Sequence, residues 1–131
     1  MVSSKRVLVV DDEAIILEVV RSCLEDIAGW TVITASSAKD GLMQAVMKQP
    51  DAILLDVMMP GVDGLAMLQQ LKGDPELRSI PVLFVTAKDE FIDPRRFRPL
   101  GAVGAIAKPF LPAQLVEQVS VFLGWELIGE E

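Results

Sequence analysis

Asp56 ends the apolar run Ala52-Ile53-Leu54-Leu55, and Asp11 and Asp12 end another, Val7-Leu8-Val9-Val10. Short, continuously apolar runs of this kind read as strands buried on both faces of a parallel sheet. Two such strands deliver three carboxylates to one sheet edge. At about 4 Å and an effective dielectric near 20, each pair repels by about 4 kcal/mol, so a cation belongs among them. The chain has 131 residues, no histidine and a single cysteine, Cys23. Those counts exclude serine–histidine and cysteine–histidine nucleophile pairs and leave zinc without its usual ligands. A hard ion held by oxygen, magnesium or manganese, remains. An aspartate that binds such an ion can also attack phosphorus, because aspartyl phosphates are established covalent intermediates. Phosphoryl transfer then needs positive charge on the equatorial oxygens. Lys108, between the run Ala102–Ala107 and Pro109, is a candidate for that charge, and Thr86, after Val82-Leu83-Phe84-Val85, offers a hydroxyl donor.

Each residue also has a duller explanation. Asp12 suits a helix N-cap, Asp56 and Thr86 suit turns or caps, and Lys108 suits a solvated surface. Taken singly, only Asp56 favours chemistry. Taken together, on four strand ends of one sheet, the functional reading outweighs the dull one.

The elements that must position these residues follow from periodicity. Between the Val7–Val10 strand and the next, Ile15, Ile16, Val19, Val20, Cys23, Leu24 and Ile27 fall at helical spacing, with Gly29 as the stop. Thr31-Val32-Ile33-Thr34 alternates and reads as an edge strand. Ser37 is placed to cap a helix carrying Ala38, Leu42, Ala45 and Val46, which stops before Pro50. Leu65, Leu68 and Leu71 mark a third helix, ended around Gly73 to Pro75, and Leu115, Val116, Val119, Phe122 and Leu123 mark the last. Between the fourth and fifth strands, Pro94 and Pro99 predict one short or broken helix over Asp93–Leu100. Five strand–helix units in strict alternation predict a doubly wound α/β fold, a five-stranded parallel sheet with helices on both faces. Ligands in such folds sit at the carboxyl ends of the strands, where Asp11, Asp12, Asp56 and Thr86 all fall.

Composition narrows the partners. A net charge of −7 argues against binding nucleic acid or an anionic membrane through phosphates. No apolar run is long enough to span a bilayer, and the Val7–Val10 stretch after Lys5 and Arg6 is too short for a signal peptide. One cysteine at a core position fits a reducing compartment, so a cytoplasmic protein is expected. The length suits a single domain.

Four stretches carry a resemblance. Val7-Leu8-Val9-Val10-Asp11-Asp12-Glu13, Leu55-Asp56-Val57-Met58-Met59-Pro60-Gly61-Val62-Asp63-Gly64, Val85-Thr86-Ala87 and Lys108-Pro109-Phe110, in this order and spacing, resemble the receiver domain of two-component response regulators over nearly the whole chain. The resemblance implies a flavodoxin-like (βα)5 fold with strand order 2-1-3-4-5. It implies that Asp56 accepts a phosphoryl group from a phosphohistidine on a histidine kinase or histidine phosphotransfer protein. Mg2+ would be held by Asp12, Asp56 and the main-chain carbonyl of Met58, with Asp11 acting through a metal-bound water. Lys108 would pair with the acyl phosphate, and Thr86 would move to hydrogen-bond it. Met58 and Lys88 would flank the phosphoryl group and tune its lifetime. The lack of histidine agrees with a donor on another molecule.

One position departs from the pattern. Where family members commonly carry Tyr or Phe, three residues before the lysine, this chain has Ala105. Nearby, Arg95, Arg96 and Arg98 stand out in an acidic chain, and with the fifth strand they form a candidate face for a downstream protein. The same segment reads equally well as a solvated helix face. Residues 1–131 are expected to form one receiver domain with no output domain, signalling through a partner protein or a change in self-association such as a homodimer. The rival readings are an interaction module on the same fold that works without phosphorylation, and a phosphohydrolase. The latter is disfavoured because Met58 stands where many aspartate phosphatases place a second acid.

Overall fold

The computed structural model describes residues 5–59 and 64–125. Strands β1 (Arg6–Val10), β2 (Thr31–Ala35), β3 (Ala52–Leu55), β4 (Val82–Thr86) and β5 (Gly104–Ala107) alternate with helices α1 (Ala14–Ser22), α2 (Ala38–Lys48), α3 (Gly64–Gly73), α4 (Pro94–Leu100) and α5 (Pro112–Leu123). All four strand pairings are parallel, in the order β2-β1-β3-β4-β5. This is the doubly wound, flavodoxin-like arrangement expected, with the Thr31–Thr34 run at one edge. The order reverses between β1 and β3, so the sheet has a crevice at their carboxyl ends.

Successive residues of the inner strands feed two separate cores. Leu8, Val10, Ile53, Leu55 and Phe84 pack with Met67, Leu71 and Phe97 on one face. Val7, Val9, Leu54, Leu83, Val85 and Ile106 pack with Val20, Leu24, Val116 and Val119 on the other. Burial on both faces is why β1, β3 and β4 read as unbroken apolar runs rather than alternating ones.

Three local features stand out; the first and third differ from the periodicity, and the second contains the short helix expected over Asp93–Leu100. First, α1 does not run regularly to Gly29: a π-helical turn, Cys23–Ile27, follows it. The wider turn breaks the 3.6-residue phase and leaves Ile27 partly exposed, while Ile15 and Val19 lie on the solvent side of α1 itself. Cys23 is a buried free thiol as expected, and burial pushes its pKa up.

Second, the segment before β5 is a 3-10 turn, Asp89–Ile92, followed by α4. Asp93 caps that helix by accepting the Arg95 N–H, and Pro94 opens it. Pro99 sits in its last turn without splitting it.

Third, β5 begins at Gly104 instead of Ala102. Gly101 ends α4 with φ of 103°, and Ala102 still donates to the helix carbonyl of Phe97. These residues are therefore used in turning the chain into the sheet. The Pro60–Asp63 part of the Asp56 motif and residues 126–131 lie outside the described residues. Among the described residues, no helix is long and apolar enough to cross a membrane.

Candidate functional site

Main-chain hydrogen bonds carry the sheet one residue past each strand and so place the acids. Asp56 N–H donates to the Val10 carbonyl (2.9 Å), Asp11 N–H to the Ala35 carbonyl (3.1 Å), and Lys108 N–H to the Thr86 carbonyl (2.9 Å). Asp11, Asp56 and Lys108 therefore leave the sheet at the same carboxyl edge, from β1, β3 and β5. The Lys108–Pro109 peptide bond is cis. Gly64, the first residue of α3, lies so close to the Asp56 carbonyl that a Cβ there would sit 2.2 Å from its oxygen. Only glycine lets the α3 N-terminus come this near the Asp56 backbone.

The side chains are held as tightly. Asp11 Oδ1 accepts the Glu13 N–H (2.9 Å), and its Oδ2 takes Lys108 Nζ at 2.6 Å. Asp56 Oδ1 accepts the Met58 N–H at 3.0 Å, and its Oδ2 lies 3.6 Å from the same Lys108 Nζ. Both aspartates are thus oriented by an N–H two residues on, and both face one ammonium. Asp11 and Asp56 are only 2% and 4% exposed. The Lys108 side chain is only 11% exposed and is held between them, which rules out a solvated surface charge. Thr86 is fully buried, and its Oγ1 accepts the Lys88 N–H at 3.0 Å. Met58 and Lys88 are exposed beside the site.

Glu13 was not among the residues singled out from sequence, yet it belongs here. Its Oε1 is 3.7 Å from Lys108 Nζ. One carboxylate oxygen each from Asp11, Asp12, Glu13 and Asp56 all lie within 4.8 Å of one another. The signal was present as a third consecutive acid after β1. Asp12 is not the helix N-cap: that place falls to Glu13, whose side chain makes no capping bond. Asp12 is exposed, with its carboxylate free to face the crevice.

Electrostatics follow from burial. The Asp56 carboxyl is held above the usual carboxylate range, first by burial. The Met58 N–H opposes this, the Asp11 charge raises it again, Lys108 lowers it and Asp12 raises it. For Lys108, burial alone would depress the ammonium, but the Asp11 hydrogen bond and the charges of Asp11, Asp56 and Glu13 outweigh it. The net shift is upward, so the side chain keeps its charge. Four carboxylates against one ammonium leave a strong local excess of negative charge. The donors are all oxygen. That set fits a hard divalent cation such as Mg2+ and offers nothing to a soft one.

The arginines near β5 come out differently from a free basic patch. Arg95 is paired with Asp93 (2.8 Å) and Arg96 with Glu90 (3.3 Å), so two of the three are neutralised locally. Ala105 lies opposite Phe84 in the β4–β5 register and shares its face of the sheet.

Comparison with known proteins places this arrangement. A family model described as the response regulator receiver domain matches residues 7–120. The chain is 39% identical over 120 residues to the alkaline phosphatase synthesis transcriptional regulatory protein PhoP of Bacillus subtilis, covering 92% of this chain and 49% of that protein. It is 37% identical over 119 residues to the phosphate regulon transcriptional regulatory protein PhoB of Pseudomonas aeruginosa, covering 91% and 52%. The chain thus spans about half the length of these curated relatives. Among solved structures it is similar to the chemotaxis response regulator CheY4 of Vibrio cholerae, with TM-score 0.82 and 28% identity, covering 92% of this chain and 99% of that one. A response regulator from Chloroflexus aurantiacus gives TM-score 0.83 and 31% identity, covering 93% and 99%.

Proposed function

We propose that this chain, which belongs to the response regulator receiver domain family, is a phosphoacceptor switch in which Asp56 takes a phosphoryl group from a phosphohistidine on a separate protein. The observation that carries the reading is the Asp56 carboxylate itself. It is buried at the end of the central strand, oriented by the Met58 N–H and faced by the Lys108 ammonium. In the transfer, an Asp56 carboxylate oxygen forms a bond to phosphorus as the phosphorus–nitrogen bond to the donor imidazole breaks. The imidazole leaves with its ring electron pair and takes a proton from solvent.

Lys108 supplies positive charge to the transferred oxygens. It reaches both Asp11 and Asp56, so it can follow the phosphoryl group without leaving the site. Thr86 holds the Lys88 N–H through its oxygen, and its own hydroxyl proton remains available as a donor to a phosphoryl oxygen. Mg2+ held by Asp12, Asp56 and the Met58 carbonyl, with Asp11 and Glu13 nearby, would supply the charge that lets a phosphoryl group approach these carboxylates. The fully oxygen donor set and its excess negative charge support that assignment.

Output passes to a downstream protein in the cytoplasm, and the net charge of −7 argues against phosphate-backbone contacts by this domain itself. The test is direct: acetyl phosphate with Mg2+ should add one phosphate by intact mass, and Asp56→Asn should add none. A wild-type protein that gains no mass under these conditions would overturn the reading.

A further inference from the structure

We infer that Glu13 ranks the phosphoryl donors of this site by their net charge, a role that rests on the phosphoacceptor reading above and adds to it which donor chemistry the site takes. A donor of low net negative charge is accepted, and a small dianion is held back.

Glu13 stands where α1 begins, and a residue at that place ordinarily uses its side chain to cap the helix. Glu13 does not: its side chain makes no capping bond. Its position comes from the main chain instead, through the N–H it donates to Asp11 Oδ1 at 2.9 Å. The carboxylate has no structural task, and it lies on the open side of the site. Its Oε1 is 3.7 Å from Lys108 Nζ. Its side chain is 62% exposed, while those of Asp11 and Asp56, around the same ammonium, are 3% and 5% exposed.

With Glu13 present, the charges of the site do not balance. Lys108 and one divalent cation offset three of the four clustered carboxylates and leave the fourth. Asp11 and Asp56 are buried against Lys108, and Asp12 and Asp56 face the metal. The uncompensated charge is therefore that of Glu13. A donor cannot avoid it, because one Glu13 oxygen lies within 4.8 Å of one Asp56 oxygen. An exposed charge at this range is screened but still felt, and at low ionic strength it changes a rate by about twofold for each unit of donor charge. Acetyl phosphate is a dianion at pH 7. Phosphoramidate carries a proton on nitrogen and one net negative charge. With the first, an Asp56 oxygen bonds to phosphorus as the phosphorus–oxygen bond breaks and acetate leaves with the electron pair. With the second, the phosphorus–nitrogen bond breaks and ammonia leaves. A phosphohistidine is also a phosphorus–nitrogen donor with a protonatable leaving group, so it falls on the accepted side.

Initial rates of phosphate incorporation, read by intact mass at saturating Mg2+ and pH 7, test the ranking. Glu13→Gln should speed incorporation from acetyl phosphate about fivefold and from phosphoramidate only about twofold. Both gains should shrink toward none in about 0.5 M KCl. Glu13→Asp, which keeps the charge, should stay close to wild type with both donors. Mg2+ feels the same charge with the opposite sign, so calorimetric titration should show Glu13→Gln binding it about fivefold more weakly and Glu13→Asp binding it as wild type does. A Glu13→Gln protein no faster than wild type with acetyl phosphate overturns the ranking. So do equal gains with the two donors, gains that persist in high salt, or an unchanged Mg2+ affinity. A wild type that gains no phosphate from either donor overturns the phosphoacceptor reading, and the ranking falls with it.

Discussion

Replacing Asp56 with asparagine should make the metal-free protein more stable, although it removes the proposed phosphoacceptor. The carboxylate has three like-charged neighbours, buried Asp11 and exposed Asp12 and Glu13, and one opposite charge, Lys108 at 3.6 Å. At about 4 Å and an effective dielectric near 20, the interactions with Asp11 and Lys108 are each worth about 4 kcal/mol and offset one another. Solvent screening reduces the repulsions from Asp12 and Glu13 to about 1 kcal/mol each, and burial adds about 1–2 kcal/mol. Asparagine keeps an oxygen for the Met58 N–H, at a loss of about 1 kcal/mol for exchanging a charged acceptor for a neutral one. The net gain expected is about 2–3 kcal/mol at pH 7, or about 1–2 M in urea midpoint for a domain of this size.

The pH dependence fixes the sign independently. Because the native Asp56 carboxyl is raised above its unfolded value, the folded state binds more protons than the unfolded one between those two values. Wild-type stability therefore falls as pH rises through that window. The advantage of Asp56→Asn should open over the same window and vanish below it. Mg2+ at a hundredfold excess over its dissociation constant should return about 2.7 kcal/mol to the wild type and close most of the gap. Urea unfolding of both proteins from pH 4 to pH 8, with and without Mg2+, measures all three effects. An Asp56→Asn protein less stable than wild type at pH 7 without metal, or a gap that ignores pH, would refute the reasoning.

Lys108→Ala should cost about 3–5 kcal/mol, as expected when one partner of a buried ion pair is removed, because it leaves Asp11 and Asp56 without a counter-charge. Mg2+ should recover part of it, and a loss below about 1 kcal/mol in metal-free urea unfolding would show that the ammonium is not neutralising the site. Gly64→Ala forces a methyl against the Asp56 carbonyl. Overpacking of that kind costs about 1–3 kcal/mol, and here it should also slow phosphate incorporation; an unchanged melting temperature and rate would argue against the close approach. Cys23, buried and with its thiol pKa raised, should react with a thiol reagent at pH 8 far more slowly in the native protein than in urea. Rapid stoichiometric labelling of the native chain would contradict its burial.

The strand ends were legible in the sequence because burial on both faces leaves no choice of residue type. Val7–Val10 and Ala52–Leu55 had to be continuously apolar, so the first charged residue after each was conspicuous. Thr86 and Lys108 followed by the same logic. Less was legible wherever two explanations share one composition. Ile15, Val19 and Ile27 have apolar helical spacing, but Ile15 and Val19 lie on the solvent side of the regular helix α1, and Ile27 falls in the π-helical turn at Cys23–Ile27, which no residue type marks. Arg95 and Arg96 read as a patch because their partners, Asp93 and Glu90, are spent across a short turn that periodicity does not resolve. Ala105 showed what was missing from β5. That the turn Asp89–Ile92 packs against β5 depends on how the chain turns after β4, a long-range packing fact that local spacing does not carry.

The pairing of Lys108 with Asp11 joins residues 97 positions apart in the chain. Its ammonium reaches Asp56 only when β1, β3, β4 and β5 are already side by side. A nascent or partly unfolded copy has the same aspartates but neither their alignment nor their counter-charge. On the proposed reading, competence to take a phosphoryl group is thus a property of the closed sheet as a whole. A site wired across so much of the chain would then report complete folding before it could take part in any signal.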